Sequence, residues 1–462
     1  MLRSEVLAML VYSSQLIVFL WAAALVFSGL GTYYGLEGVG SSWPSLATVI
    51  SGLVLLAFPR SLGAFKFSIL SYLVAFAFQM PANSNHRWVL LFVALSAFVR
   101  IRSIRRIDDL AAEIGASLRW LTVVVYFFAT LAKLNSAYFN PAISCASIFS
   151  LQTFSIYGVP IFSADSNVVA LASVVVEALL PVLLIWPRSR CIAVLLGVLF
   201  HIFLSFNLVR YFGNFSCAMF VLLASWLPEQ SSRRIVEIIR RRGVALFSVW
   251  LFALIGLLLA GFARYVSPSD YVILRHVLYL IFALGLLTLT ALACYRVRGM
   301  NGVGSPVLLV LALAVINGLT PYLGVKTRSA LTMYSNLRIE PGYSNHFFMP
   351  PGGDPFGYLS DTVEITRASD SRLQERIDTG ATQMTYLSLC AYLACQDELC
   401  TKRESPDLIA YRRGQVFSQR HKVDSNYGDA RTQLPADCPP WIARKLLLFG
   451  PVGPDSERLC IW

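Results

Sequence analysis

The chain has 462 residues, of which 56% are hydrophobic and 14% charged, against about 25% charged in an ordinary globular protein. That deficit excludes a soluble fold, because one core could not bury so many apolar runs of the roughly 20 residues that span a hydrocarbon layer of about 30 Å. The net charge of +12 argues for no nucleic-acid partner, since the basic residues punctuate apolar segments instead of gathering on one element.

In chain order, apolar spans are expected at about 6–30, 43–58, 61–80, 86–100, 117–139, 166–186, 190–208, 212–228, 243–263, 272–295 and 305–325. The second and fourth are short, so the expected fold class is an all-α polytopic membrane bundle of about 9 to 11 transmembrane helices. Met1, Leu2 and Arg3 precede the first span, and Ala22, Ala23 and Ala24 resemble a processing region. Its apolar run continues to Leu30, longer than the h-region of a signal peptide, about 7–15 residues, which favours a retained helix. Arg60, the cluster Arg100, Arg102, Arg105 and Arg106, the pair Arg188 and Arg190, the run Arg233 to Arg242, and the pair Arg296 and Arg298 follow alternate spans. Cytoplasmic loops hold such an excess, so the N-terminus is expected in the cytoplasm and the C-terminus outside. The outer segment 140–165 has apolar stretches that could be interfacial or re-entrant.

After Gly324 the composition turns polar and charged. Residues 1–325 are expected to form the helical membrane domain and residues 326–462 a small C-terminal α+β extracytoplasmic domain. Within the latter, Thr362 to Thr366 alternates as a strand does, Met384 to Cys395 suits a helix, and Leu408 to Tyr411 followed by Arg413 and Gly414 suits a hairpin. Five cysteines, Cys390, Cys395, Cys400, Cys438 and Cys460, could form up to two disulfides there, with pairing open. No CxxC pair exists, and no metal is expected. Cys145, Cys191, Cys217 and Cys294 read as packing residues, and Arg275 and His276, at the outer start of the tenth span, as surface anchors.

Ionisable residues inside a bilayer cost a few kcal/mol or more and default to functional hypotheses. Three stand out: Lys133 toward the outer end of the fifth span, and Glu177 and His201, each about eleven residues into its span and therefore both near the midplane. Glu177 and His201 could meet, and small residues one turn away (Ala129, Ser173, Gly197, Ser205) would let these helices approach. An amine away from water can be held neutral, as a general base must be, while a neighbouring carboxylate opposes this. Glu177 could equally pair with Lys133 to staple the bundle, and Lys133 could snorkel to the surface.

The run Tyr126 to Asn135 (YFFATLAKLN), Glu177 followed by Arg190 and His201, and the stretch Asn317 to Pro321 leading through Thr327 to Arg338 and Ser344 to His346 together resemble the horizontally transferred transmembrane domain (HTTM) family, the vitamin K-dependent gamma-carboxylase-like proteins. The resemblance covers most of residues 5–346. It implies that Lys133 is the base that deprotonates a reduced quinone, menaquinol or vitamin K hydroquinone. Reaction with oxygen then yields a strong base that takes a proton from the substrate, so that carbon dioxide can add. Glu177 and His201 would position or polarise Lys133. Asn135, Asn336, Arg338 and His346 would face the substrate at the outer mouth, where Arg338 and His346 could bind an anionic group; Asn336, Arg338, Asn345 and His346 could instead form a hydrogen-bonded joint that docks the tail. The substrate stays open, since the tail is far smaller than the part with which the carboxylase holds its protein substrate.

Two other classes compete: a membrane carrier in which Lys133, Glu177 and His201 form a proton relay, and a non-catalytic membrane scaffold whose tail binds a partner. No Walker loop, GxGxxG, HExxH or GxSxG element is present. Arg outnumbers Lys 32 to 6, a bias of GC-rich genomes, so the expected location is a bacterial inner (plasma) membrane. The expected partners are the lipid bilayer, a quinone and an unknown extracytoplasmic substrate.

Overall fold

A computed structural model describes residues 11–33, 43–156, 167–207, 212–239, 241, 249–257, 268–294, 306–398, 408–419 and 437–452, apart from positions 82, 251, 254, 370, 379, 381, 413, 414 and 451. Helices dominate up to residue 319: α1 (Val11–Tyr33), α2 (Trp43–Ala57), α3 (Leu62–Phe78), α4 (Asn85–Val99), α5 (Leu110–Lys133), α6 (Cys145–Ile156), α7 (Val168–Ile185), α8 (Arg190–Ser205), α9 (Gly213–Ala224), α10 (Glu229–Ile238), α11 (Pro268–Cys294) and α12 (Leu308–Leu319). Segments within α1, α7 and α11, and α5 with the turn that leads into it, are long and apolar enough to cross a membrane. α2, α3, α4, α8, α9 and α12 are apolar but shorter. Most of the expected span 243–263 lies outside the described residues.

The bundle is arranged around α1. Its apolar window is 89% buried, against 28% for α7, because α2 and α9 pack along it. Small residues permit the contact: a side chain at Gly52 of α2 would collide with the backbone of Ala22 and the side chain of Val26. The start of α1 is satisfied by a carboxylate, since Glu229 of α10 accepts the backbone N–H groups of Tyr12 (2.8 Å) and Ser13 (3.1 Å). That bond also sets a negative charge against the positive end of the helix dipole. The outward faces are apolar too, with Val168, Leu171, Val175 and Val182 of α7 and Leu308, Leu309 and Ile316 of α12 all exposed. A surface of this kind needs lipid to cover it.

Three expectations need correction. α5 ends at Lys133 instead of continuing to 139, because Asn135 stops it: its amide donates to the carbonyl of Ala132 (2.8 Å) and its side-chain oxygen accepts the Tyr138 N–H (2.8 Å). Arg275 and His276 are not surface anchors but are buried, 1% and 2% exposed, on the inner face of α11. Nor are three of the four membrane cysteines simple packing residues. Cys191 at the start of α8 is bonded to Cys294 at the end of α11, with Cα atoms 5.7 Å apart, and Cys145 is disulfide-bonded as well. Cys217 is free and buried, as expected.

Beyond α12 the chain forms a short hairpin of β1 (Ile339–Glu340) and β2 (Tyr343–Ser344), then β3 (Thr362–Ala368), α13 (Ser371–Asp378), β4 (Gln383–Thr385), α14 (Tyr386–Glu398), β5 (Leu408–Arg412), β6 (Gln415–Gln419) and α15 (Trp441–Leu446). β4, β3, β5 and β6 make an antiparallel sheet in that order. The expected strand, helix and hairpin are thus present, the helix beginning two residues later than Met384. Val363 and Ile365 face one side of β3 and pack with Leu389, Cys390 and Leu393 of α14. Gly324, which opens the tail, has a φ of 68° and packs its α-carbon against the Gly353 carbonyl. Only glycine fits both demands.

Cys390 of α14 is bonded to Cys438, 48 residues on. Replacing both by serine is expected to lower the stability of the tail by about 2–5 kcal/mol, read as faster limited proteolysis of the tail while the helical core stays protected.

Candidate functional site

Lys133 is the last residue of α5, about 35 Å along the helix from Leu110. Its ammonium lies 2.5 Å from the Glu177 carboxylate of α7, and both side chains are almost completely buried, at 6% and 9% exposed. Two further polar groups, the Tyr138 and Ser173 hydroxyls 2.5 Å apart, complete this end of the site, and the Tyr138 ring centre is 5.9 Å from the Lys133 nitrogen. Ser173 is one turn before Glu177 on α7, so the same face delivers both.

The pair borders a cavity of about 340 Å³. Its walls are mostly aromatic and aliphatic, with Phe149 of α6, Phe200 and Phe203 of α8, Phe212 and Phe215 at the start of α9, and Tyr334, interrupted by the uncharged polar Ser150, Thr153 and Asn207. Phe149, Phe212 and Tyr334 pack mutually, with ring centres 4.7–5.3 Å apart. α6, the helix within the segment expected to be interfacial or re-entrant, therefore forms one wall, tied to α8 by the Asn207 amide, which donates to the Phe149 carbonyl (3.0 Å). Among the described lining residues only Lys133 and Glu177 are charged. An apolar chamber with one polar end suits a flat or hydrophobic ligand with a single reactive head.

Tyr334 reaches the cavity from a strained loop. Ser329, Leu331, Tyr334 and Asn336 all have positive φ, between 48° and 59°, which costs about 1–3 kcal/mol per residue for side chains of this kind. Hydrogen bonds hold the loop: Asn85 accepts the Leu331 N–H (3.0 Å), and Asn336 accepts from the Cys145 N–H and donates to the Ile143 carbonyl, each at 2.9 Å.

His201 does not join Lys133 and Glu177. Its Nε2 is 3.0 Å from the hydroxyl of Tyr126, two turns deeper on α5 than Lys133, and its ring packs between Phe215 and Phe220. The backbone carbonyl of His201 accepts from the hydroxyls of Ser205 (2.7 Å) and Ser216 (3.1 Å), and Ser205 lies 3.1 Å from the Tyr279 hydroxyl. His201 thus belongs to a buried polar track behind the cavity wall. Nothing in the sequence alone marks Tyr126 as a polar partner of His201, although its spacing of seven from Lys133 places it on the same helix face.

The four residues expected at the outer mouth converge on one joint, and none lines the cavity. Asn135, wholly buried, donates to the Ser335 carbonyl (2.6 Å) as well as to Ala132 and pairs with His346 as a β-bridge. His346 donates from Nε2 to the Leu131 carbonyl (2.9 Å), while its Nδ1 accepts from the N–H groups of Phe348 and Met349, both at 3.1 Å. That pattern needs a neutral ring, and burial accordingly lowers its pKa. Asn336 spans the loop as described. Arg338 is held by two hydrogen bonds to Glu340, at 2.8 and 2.9 Å, and lies 4.2 Å over the Tyr343 ring.

Lys326, which no motif singled out, is buried in the same region just beyond the last span. Its ammonium is 3.8 Å over the Trp88 ring and donates to the Ser329 carbonyl (3.1 Å). Burial pulls its pKa from 10.5 down to about 7.

No family model matches the chain, and no curated protein or solved structure matches it either.

Two outcomes are expected. Glu177→Gln or Lys133→Met alone, each leaving a buried partner uncompensated, lowers stability in detergent by about 3–5 kcal/mol, whereas the double variant Lys133→Met, Glu177→Leu recovers most of it. For Lys326, the unfolded chain keeps the proton up to about pH 10.5 and the folded chain only to about 7, so stability is fullest above 10.5 and is lost as pH falls toward 7. Lys326→Met, measured by thermal unfolding, gains on the wild type at pH 6 and loses that advantage at pH 10.

Proposed function

We propose that the chain is a membrane-embedded, quinol-dependent enzyme of the vitamin K-dependent gamma-carboxylase-like (HTTM) kind, acting on an extracytoplasmic substrate. In this reading residues 1–325 form a bundle of about 9 to 11 spans in a bacterial inner membrane, with the N-terminus in the cytoplasm and residues 326–462 outside. One observation carries the proposal: the buried Lys133–Glu177 pair is the charged end of a largely apolar, aromatic-rich chamber within apolar helices.

The residues fit a reduced quinone. A volume of about 340 Å³ is at the lower end of small-molecule sites, about 300–1,000 Å³, and suits a ring headgroup whose isoprenoid tail leaves toward lipid. Phe149, Phe212 and Tyr334 offer ring faces, and Lys133 with Tyr138 offers polar atoms for a ring oxygen. A bound hydroquinone would supply an acidic hydroxyl and, with oxygen, oxidising power. Lys133, once its proton has passed to Glu177 at 2.5 Å, accepts the hydroxyl proton. Glu177 keeps the proton it received, the quinol anion balances the re-formed Lys133 ammonium, and the largely apolar walls exclude water that would otherwise quench a strong base.

A second reading is favoured by one observation. Tyr126 bonded to the His201 ring, and Ser205, Ser216 and Tyr279 clustered at the His201 backbone carbonyl, put in the bundle the kinds of groups that a carrier uses to move protons.

Reconstituted protein supplied with reduced menaquinone or a vitamin K analogue and oxygen is expected to yield quinone epoxide by mass spectrometry. Lys133→Met, still folded, should lose about 10²–10⁴-fold of that rate. Epoxide from neither protein across several quinols would transfer the case to the carrier, tested by proton flux in Glu177 and His201 variants.

A further inference from the structure

α15 turns an apolar stripe outward. Ala443 and Leu447 pack inward with Leu359, Leu387 and Phe449, whereas Trp441, Ile442 and Leu446 are 57%, 62% and 53% exposed. Ile442 and Leu446 are one turn apart on one flank, and Arg444 and Lys445 occupy the last turn. A water-facing helix would carry the opposite pattern. The chain just after α15 is joined to the end of the last span: the Leu448 carbonyl accepts the N–H groups of Thr327 (3.2 Å) and Arg328 (3.0 Å), and the Gly450 N–H donates to the Thr327 hydroxyl (2.7 Å). Thr327 follows α12 by eight residues, and the exposed Leu319 at the end of α12 and Leu323 just beyond it extend the apolar outer surface toward Thr327. α15 therefore sits where the apolar belt of the bundle stops.

We propose that α15 is an interfacial anchor by which the tail rests on the bilayer surface, with Trp441, Ile442 and Leu446 in the headgroup layer and Arg444 and Lys445 on anionic lipid phosphates. The tryptophan, the aliphatic pair and the two cations are the groups that partition to this layer. The surface is continuous with the belt that lipid already covers. The anchor fixes the height of the tail above the cavity and is independent of what the cavity binds.

The test uses the full chain in nanodiscs of mixed anionic and zwitterionic lipid, with Ile442→Cys carrying an environment-sensitive NBD label. Glu364→Cys, exposed on β3, is the water-facing control. The label at 442 is expected to shift its emission to the blue, to be quenched by lipids bearing a shallow nitroxide, and to resist aqueous iodide; the label at 364 should do none of these. Arg444→Glu with Lys445→Glu should reduce the nitroxide quenching at 442 in anionic discs. A label at 442 open to iodide and indifferent to the nitroxide would overturn the proposal. So would one shielded from both, which would mean that protein covers the stripe. Leu446→Cys repeats the measurement if the first variant does not fold.

Discussion

Asn135 sits fully shielded from solvent at the point where α5 stops, donating to the carbonyls of Ala132 and Ser335 and accepting the N–H of Tyr138. One side chain thereby fixes the end of α5 and the turn that carries Tyr138, which adjoin it, to the strained loop that carries Tyr334, 200 residues away. The backbone continues the union, since the Phe347 N–H donates to Leu134 (3.0 Å) and the Ser136 N–H to Asn345 (2.9 Å). An amide suits this position because it donates and accepts at once and carries no charge to desolvate. The cavity is consequently a product of helix termination: α5 presents its last side chain, Lys133, to α7 and leaves room for aromatic walls where another turn of helix would have stood.

The ion pair at that terminus is not a means of gaining stability. Two charges lose several kcal/mol of hydration each on burial, and their attraction offsets this only with good geometry. Isolating either charge is worse, so each residue holds the other in place. A pair that is neutralised by moving one proton over 2.5 Å can change its charge state without moving an atom of the backbone. A structural staple has no need of an adjoining chamber, and here the chamber is present.

How much of this could be read from the residues varies with the physics involved. Apolar spans, the outward lipid face, the β3 strand and the β5–β6 hairpin follow from periodicity, which is local. Lys133 and Glu177 are identifiable because a charge in an apolar run is conspicuous, and their pairing is one arrangement that the sequence allows. The separation of His201 from them was not legible: equal depth in two helices leaves rotation about each axis free, and rotation is set by packing. The termination of α5 was hidden because Leu134, Ala137, Tyr138 and Phe139 keep the stretch mostly apolar, and the turn depends on bonds of Asn135 to Ala132, Tyr138 and, 200 residues on, the Ser335 carbonyl. The burial of Arg275 and the pairing of Cys191 with Cys294 depend likewise on which helices become neighbours.

The central place of α1 has a consequence for assembly. α1 leaves the ribosome before α2 and α9, the helices that come to bury it, so it must first be accepted by lipid alone and only later exchange that lipid for protein. This two-stage history explains a composition apolar on every side yet dotted with Ser14, Ala22, Ala23, Ala24, Ser28 and Gly29: greasy enough to insert unaccompanied, smooth enough to be wrapped afterwards. A polar substitution on α1 would then be felt at insertion, before any cavity exists to be damaged.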